Sequence, residues 1–153
     1  MESETATLNR VEPYEEGLSV AVVDGNNKFR TRLAMQLSEG VAAASFASIE
    51  AMEDKVDPGE PIIVIFGPSY SDGTGLREVQ SLTRRRPEVA SIMVVDKLST
   101  QMLQQALRAG VRDVLEAPTE SGQLLEAVER AAETITVVPS VSATPEPAGG
   151  RGA

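Results

Sequence analysis

Few residues here have both the type and the placement to do chemistry. Asp24-Gly25 follows the apolar run of residues 18–23, where a carboxylate at a strand end can hold a metal ion or cap the next turn. The stretch 67–75, GPSYSDGTG, is glycine-rich and opens a helical pattern, so its amides could cradle an anion. It lacks the Gly-x-x-x-x-Gly-Lys-Ser/Thr spacing of a nucleotide loop and carries Asp72, which favours an ordinary turn. Arg84-Arg85-Arg86 could meet an acidic partner or phosphate, although cations at a helix C-terminus more often complement its macrodipole and solvate the surface. The chain has no His and no Cys, which removes Ser-His and Cys-His nucleophiles, disulfides and thiolate metal sites. A net charge of -9 argues against nucleic acid and anionic membrane surfaces as partners. No apolar run approaches the roughly 20 residues that span a bilayer, and the acidic N-terminus lacks the basic start of a signal peptide. A cytoplasmic protein without membrane insertion is expected.

Secondary structure must position these residues, and the hydrophobic pattern alternates regularly. Residues 18–24, LSVAVVD, form the continuous apolar run of a strand covered by helices on both faces. A helix follows, capped by Asn26 or Asn27, with Phe29, Leu33 and Leu37 on one face and Gly40 at its end. A weaker strand is expected over 41–46, and a short helix from Ser48 to before Pro58. The third strand, 62–66, IIVIF, runs into Gly67-Pro68 with no acid, base or nucleophile at its tip. A helix over 74–86 turns Leu76, Val79 and Leu82 or Thr83 inward and stops at Pro87. Strand 90–95 leads to a helix opening at Ser99 or Thr100, with Met102, Leu103, Ala106 and Leu107 inward and Gly110 at its end. Strand 112–116 precedes a last helix capped by Thr119, with Leu124, Leu125, Val128 and Ala132 inward.

Five strand-helix units with short connections require parallel pairing through right-handed crossovers. The expected fold is therefore α/β: a five-stranded parallel sheet of flavodoxin-like order 2-1-3-4-5 with helices on both faces. Residues 1–16 read as an N-terminal tail, 17–134 as the domain and 135–153 as a Pro/Ala/Gly-rich linker or tail. The β-branched stretch 134–139, TITVVP, fits either a frayed helix extension or a short strand. In this order the strand ends bring Asp24, Gly25, Phe66, Gly67, Val95, Asp96, Glu116, Ala117 and Pro118 to one crevice.

The segment ALRAGVRDVLEAP, 106–118, resembles the approach to the fifth strand of bacterial response-regulator receiver domains, which usually ends in Lys-Pro. More narrowly, VVDGN, FGPS and LRAGVRDVL resemble the atypical receiver domain of TadZ/CpaE-type pilus-assembly ATPases. The resemblance runs from Leu18 to about Ala132. It implies a layout in which this part precedes a linker and a MinD-like ATPase, which the C-terminal composition suits.

Carried over residue by residue, the receiver site is mostly missing. The aspartate that accepts the phosphoryl group corresponds to Phe66 or, one residue on, Gly67; an acyl phosphate requires a carboxylate. Of the acidic pair that would hold Mg²⁺, Asp24 is kept and the second position is Gly25. The hydroxyl switch residue falls at Val95 or Asp96, and the lysine at Ala117, with Pro118 kept. Phosphoryl transfer depends on positioning and charge neutralisation, and most of those groups are gone. The expected function is thus a non-catalytic pseudo-receiver with no cofactor and no catalytic residue, Asp24 being the one weak metal candidate. It would dimerise, or dock a pilus-assembly or polar-localisation protein, in the cytoplasm and through a partner at the cell pole. The resemblance points to a dimer surface around the fourth helix and fifth strand, with Arg108, Arg112, Asp113 and Glu116 as candidates. The alternative is a signalling domain responsive to phosphorylation or ligand, including a flavodoxin-like nucleotide binder. For that reading Tyr70 is the aromatic placed to stack on a ring.

Overall fold

The computed structural model describes residues 19–57 and 59–142, with side chains to Ile135; the tail at 1–16 and residues 143–153 lie outside the described residues. Five strands, β1 (Ser19–Val23), β2 (Ala44–Phe46), β3 (Ile62–Phe66), β4 (Val89–Val95) and β5 (Asp113–Glu116), form one parallel sheet in the order β2-β1-β3-β4-β5. The helices between and after them are α1 (Asn27–Leu37), α2 (Ile49–Glu53), α3 (Gly73–Arg85), α4 (Thr100–Arg108) and α5 (Ser121–Ser142). This is the doubly wound order expected from the alternation of strands and helices.

Strand parity divides the core into two layers. Val20, Val22, Ile63, Ile65, Ile92, Val94 and Leu115 pack under Leu33 and Leu37 of α1 and Leu124, Ala127 and Val128 of α5. Ala21, Val23, Val64, Phe66, Met93 and Val95 face the other way, against Ile49 and Met52 of α2, Val79 and Leu82 of α3 and Ala106 of α4. All of β3 is buried, and each fully buried branched side chain contributes roughly 1.5–3 kcal/mol. A β3 that read as alternating polar and apolar would leave one of the two layers without its floor.

Four helices begin on a side-chain cap: Asn26 accepts from Phe29 N, Ser48 from Ala51 N, Asp72 from Gly75 N and Ser99 from Met102 N. The expected Thr119 cap is not made. α5 starts at Ser121, and the buried Thr119 hydroxyl instead donates to Gln36 Oε1 on α1 at 2.9 Å. α1 stops at Leu37 with Ser38 as its cap, before Gly40, and β2 is confined to three residues. Residues 134–139 continue α5 as helix, through part of the stretch read as linker, because Ile135 extends the helix's apolar stripe onto the core. On α4, Leu103 and Leu107 point outward, 37% and 51% exposed. Met102 and Leu103 start adjacent i, i+4 rows; a nine-residue helix rests only one of them on the sheet, and Ala106 and Ala109 put it on the Met102 row. Gly110 ends that helix with φ +96°, which glycine adopts without strain. No helix among the described residues is long and apolar enough to cross a membrane.

At the N-terminal ends of the strands, Arg86 is buried rather than solvated. Its Nε donates to Glu88 Oε2 at 2.9 Å, its Nη2 to the Asp57 carbonyl at 2.8 Å, and Glu53 lies 3.6 Å from Nη1. Glu88 Oε2 also accepts from Gly59 N, which ties the loop before β3 to the loop before β4. Burial raises the Glu88 carboxyl pKa, but hydrogen bonds from Arg86, its own amide and Gly59 leave it below the usual glutamate value. A depressed folded pKa stabilises above the unfolded value and loses that contribution as pH falls through the folded one. Glu88→Gln should therefore cost about 1 kcal/mol at neutral pH, and urea denaturation should show the gap to wild type closing as pH drops below the ordinary glutamate range.

Candidate functional site

The crevice is built by the strand ends. The register pairs Val23 with Phe66 and Val95 with Glu116, so the next residues, Asp24, Gly67, Asp96 and Ala117, stand together above the sheet. Parity decides which of the two candidate positions a crevice-facing side chain would use. Phe66 packs into the α2–α3–α4 layer against Tyr70, ring centroids 5.2 Å apart at 59°, and is fully buried. Position 67 faces the crevice, toward Asp24 and Phe29, whereas Phe66 does not. Val95 is likewise buried in the Phe66 layer, and Asp96 lines the crevice.

Asp24 is 1% exposed and holds the centre. Its Oδ2 accepts from Asn26 N and its Oδ1 from Ser69 N, both at 2.9 Å, while its carbonyl accepts from Arg30 Nη1 at 2.7 Å. The carboxylate thereby joins the loop after β1 to the loop after β3. A Cβ placed on Gly67 would overlap this carboxylate and come within 2.5 Å of the Phe29 ring, so the room of an acceptor side chain is already filled. At Gly25 a Cβ would meet only Ser69 Oγ, at 3.6 Å, so the missing second acid there is a matter of composition and not of space. Ala117 is half-buried against the α1–α5 layer, and its peptide bond to the exposed Pro118 is cis.

These residues do not suit Mg²⁺. One carboxylate is committed to two backbone amides, glycine stands at both other carboxylate positions, and no group of three or more His, Cys, Asp or Glu among the described residues could hold a metal. The loop 67–75 is likewise an ordinary turn: a 3-10 segment, Pro68–Tyr70, leads to the Asp72 cap of α3. Tyr70 is not placed to stack on a ligand. It is buried, its hydroxyl accepts from Ile49 N at 3.2 Å, and burial pushes its pKa up.

A cleft of about 320 Å³ opens beside the crevice, and Lys28 and Arg32 of α1 line it together with Asn26, Ser69 and Asp96. Sequence reasoning passed over both cations. The available signal was Lys28, Arg30 and Arg32 crowded at the start of a helix, where the macrodipole disfavours positive charge. The surface residues are brought only partly together. Arg108 and Arg112 are exposed, Asp113 pairs with Arg130 of α5 at 2.6 Å, and Glu116 Oε2 accepts from Leu98 N at 2.9 Å. Leu98, Leu103 and Leu107 form the exposed apolar part of that side. Of the three arginines closing α3, Arg85 pairs with Glu53 at 2.9 Å and Arg86 is buried.

A doubly wound parallel sheet of this order, whose β1, β3, β4 and β5 tips frame one crevice with an aspartate after β1, is the architecture of receiver signalling domains. The family model of the response regulator receiver domain matches residues 20–129, and the chain belongs to that family. Among characterised relatives, the photosynthetic apparatus regulatory protein RegA of Rhodobacter capsulatus is 25% identical over 122 residues, which span 79% of this chain and 66% of RegA. A CpaE pilus assembly protein from Burkholderia thailandensis superposes with TM-score 0.64 at 25% identity, covering 76% of this chain and 98% of that one. A pilus assembly-related protein from Burkholderia pseudomallei shares the fold with TM-score 0.67 at 24% identity, covering 82% and 96%. The expected relation to CpaE-like receivers is met.

The Gly67→Asp variant tests the filled crevice. It should lower unfolding free energy by about 1–3 kcal/mol through overpacking against Asp24 and Phe29, read by urea denaturation; an unchanged midpoint would show that the space is open.

Proposed function

We propose that the domain is a pseudo-receiver: a non-catalytic module of a pilus-assembly system that works through its surfaces. The carrying observation is Gly67, opposite Asp24, in the place where a receiver keeps its acceptor carboxylate, with the Asp24 carboxylate filling the room. A receiver changes state when a new charge in the crevice re-sorts its loops and fourth helix. Here no carboxylate stands at that point to be phosphorylated, and the β1 and β3 loops are already joined through Asp24. The domain therefore holds one conformation and presents a constant surface.

The surface best suited to self-association is the α4–β5–α5 side. Leu98, Leu103 and Leu107 are exposed apolar residues beside Arg108 and Arg112, a combination that suits an interface better than solvent. Glu116 anchors Leu98 to β5, and Asp113–Arg130 joins β5 to α5, so the surface is held by three elements. A homodimer through this side, in the cytoplasm and recruited to the cell pole by a pilus-assembly or polar-localisation partner, is the function we assign. The likeness to the two Burkholderia proteins supports the choice of system.

Two measurements test this. Incubation with acetyl phosphate and Mg²⁺ should leave the intact mass unchanged; a phosphoryl adduct would end the pseudo-receiver reading. In sedimentation velocity at micromolar concentration the wild type should run as a dimer and the Leu103→Glu/Leu107→Glu variant as a monomer, with Arg108→Glu and Arg112→Glu weakening the dimer less. A monomeric wild type removes the self-association claim.

A further inference from the structure

Lys28 and Arg32 stand one helical turn apart on α1 and line the cleft beside Asp24. Neither has an ion-pair or hydrogen-bond partner among the described residues, in a chain with 23 acidic and only 14 basic side chains. Their position is unfavourable for folding alone. The first turn of α1 contains no acid, and the positive end of the macrodipole repels Lys28. By contrast Arg30, between them in sequence, is used locally: it donates to the Asp24 carbonyl at 2.7 Å and to Asn27 Oδ1 at 3.0 Å.

Two further donors line the same cleft without a partner among the described residues, the Ser69 hydroxyl and the Asn26 side-chain amide, whose oxygen is taken by Phe29 N. The two acids of the cleft differ. Asp24 has both oxygens occupied by Asn26 N and Ser69 N, whereas Asp96 has no partner among the described residues. A cleft with four unpartnered donor groups, two of them cations, and one unpartnered carboxylate is complementary to an oxyanion that also carries a hydroxyl.

We propose that this cleft binds a phosphoryl anion non-covalently, as hydrogen phosphate or as a hydroxylated monoester, through Lys28, Arg32, Ser69 and Asn26, with Asp96 accepting the ligand's hydroxyl. The inference rests on the reading that residue 67 forms no acyl phosphate. It moves anion recognition from the β5 position, now Ala117, to α1. Asp96 sets selectivity: sulfate has the same shape but no proton to offer, so its oxygens face an unsatisfied carboxylate.

The test is an amide NMR titration of the full chain with inorganic phosphate, without Mg²⁺ and at constant ionic strength in chloride. Saturable shifts are expected at Asn26, Phe29 and Ser69, with Lys28→Ala and Arg32→Ala each weakening binding by about tenfold. Sulfate should bind more weakly than phosphate to the wild type, and Asp96→Asn should narrow that difference. Lys28→Glu should abolish binding while raising the melting temperature, since it relieves the macrodipole, so the loss cannot come from unfolding. Tighter binding of glycerol 3-phosphate would name a monoester as the ligand, and tighter binding of inorganic phosphate the free anion. The proposal is overturned by an absence of saturable shifts, by shifts centred on Arg84 and Arg85 instead, or by unchanged affinity in the Lys28→Ala/Arg32→Ala variant. A covalent adduct from acetyl phosphate is a separate observable and bears on residue 67 alone.

Discussion

The crevice depends on one carboxylate placed between two backbone amides. Asp24 accepts from Asn26 N and Ser69 N, so a buried carboxylate is satisfied by the chain's own amides. Two features make this possible. Gly67 removes the side chain that would occupy the same volume, and the loop after β3 turns tightly enough to present Ser69 N. The ring of Phe29 closes the remaining side. A side chain at 67 crowds the carboxylate, and loss of the loop or of the ring leaves it underbonded or underpacked, at the edge of a sheet whose β3 and β4 are wholly buried.

From this follows a division of labour within the fold. The sheet and the two helical layers supply stability through aliphatic burial, and the Arg86–Glu88 group holds the opposite end of the sheet. The crevice is tied together by the Asp24 bonds to the loops after β1 and β3. The scaffold is that of the receiver family.

Much of the fold was legible in sequence because strand and helix periods differ so clearly. IIVIF cannot be amphipathic, and the Asn, Ser and Asp caps stand where helices must begin. The misses have physical causes. A period of four cannot say which of two adjacent rows rests on the sheet, so Leu103 and Leu107 were turned inward when Met102 and Ala106 take that place. Thr119 is a good cap by type, but a tertiary hydrogen bond to Gln36 claimed it. At the crevice, composition alone left Phe66 and Gly67 open, and strand parity separated them. Lys28 and Arg32 went unnoticed because a charge at a helix start usually means no more than a solvated surface; only their shared cleft distinguishes them. Arg86 looked like the last of a solvated trio, and nothing local marks it as buried.

The filled volume at Gly67 also bears on how freely the position can change. Replacing glycine by aspartate at that one codon inserts a carboxylate into space held by another, so the variant meets a fold penalty at once. Asp24 would have to withdraw at the same time, taking its bond to Ser69 with it. Such a position resists single substitution: a carboxylate at 67 requires a coordinated change at 24, far away in the gene.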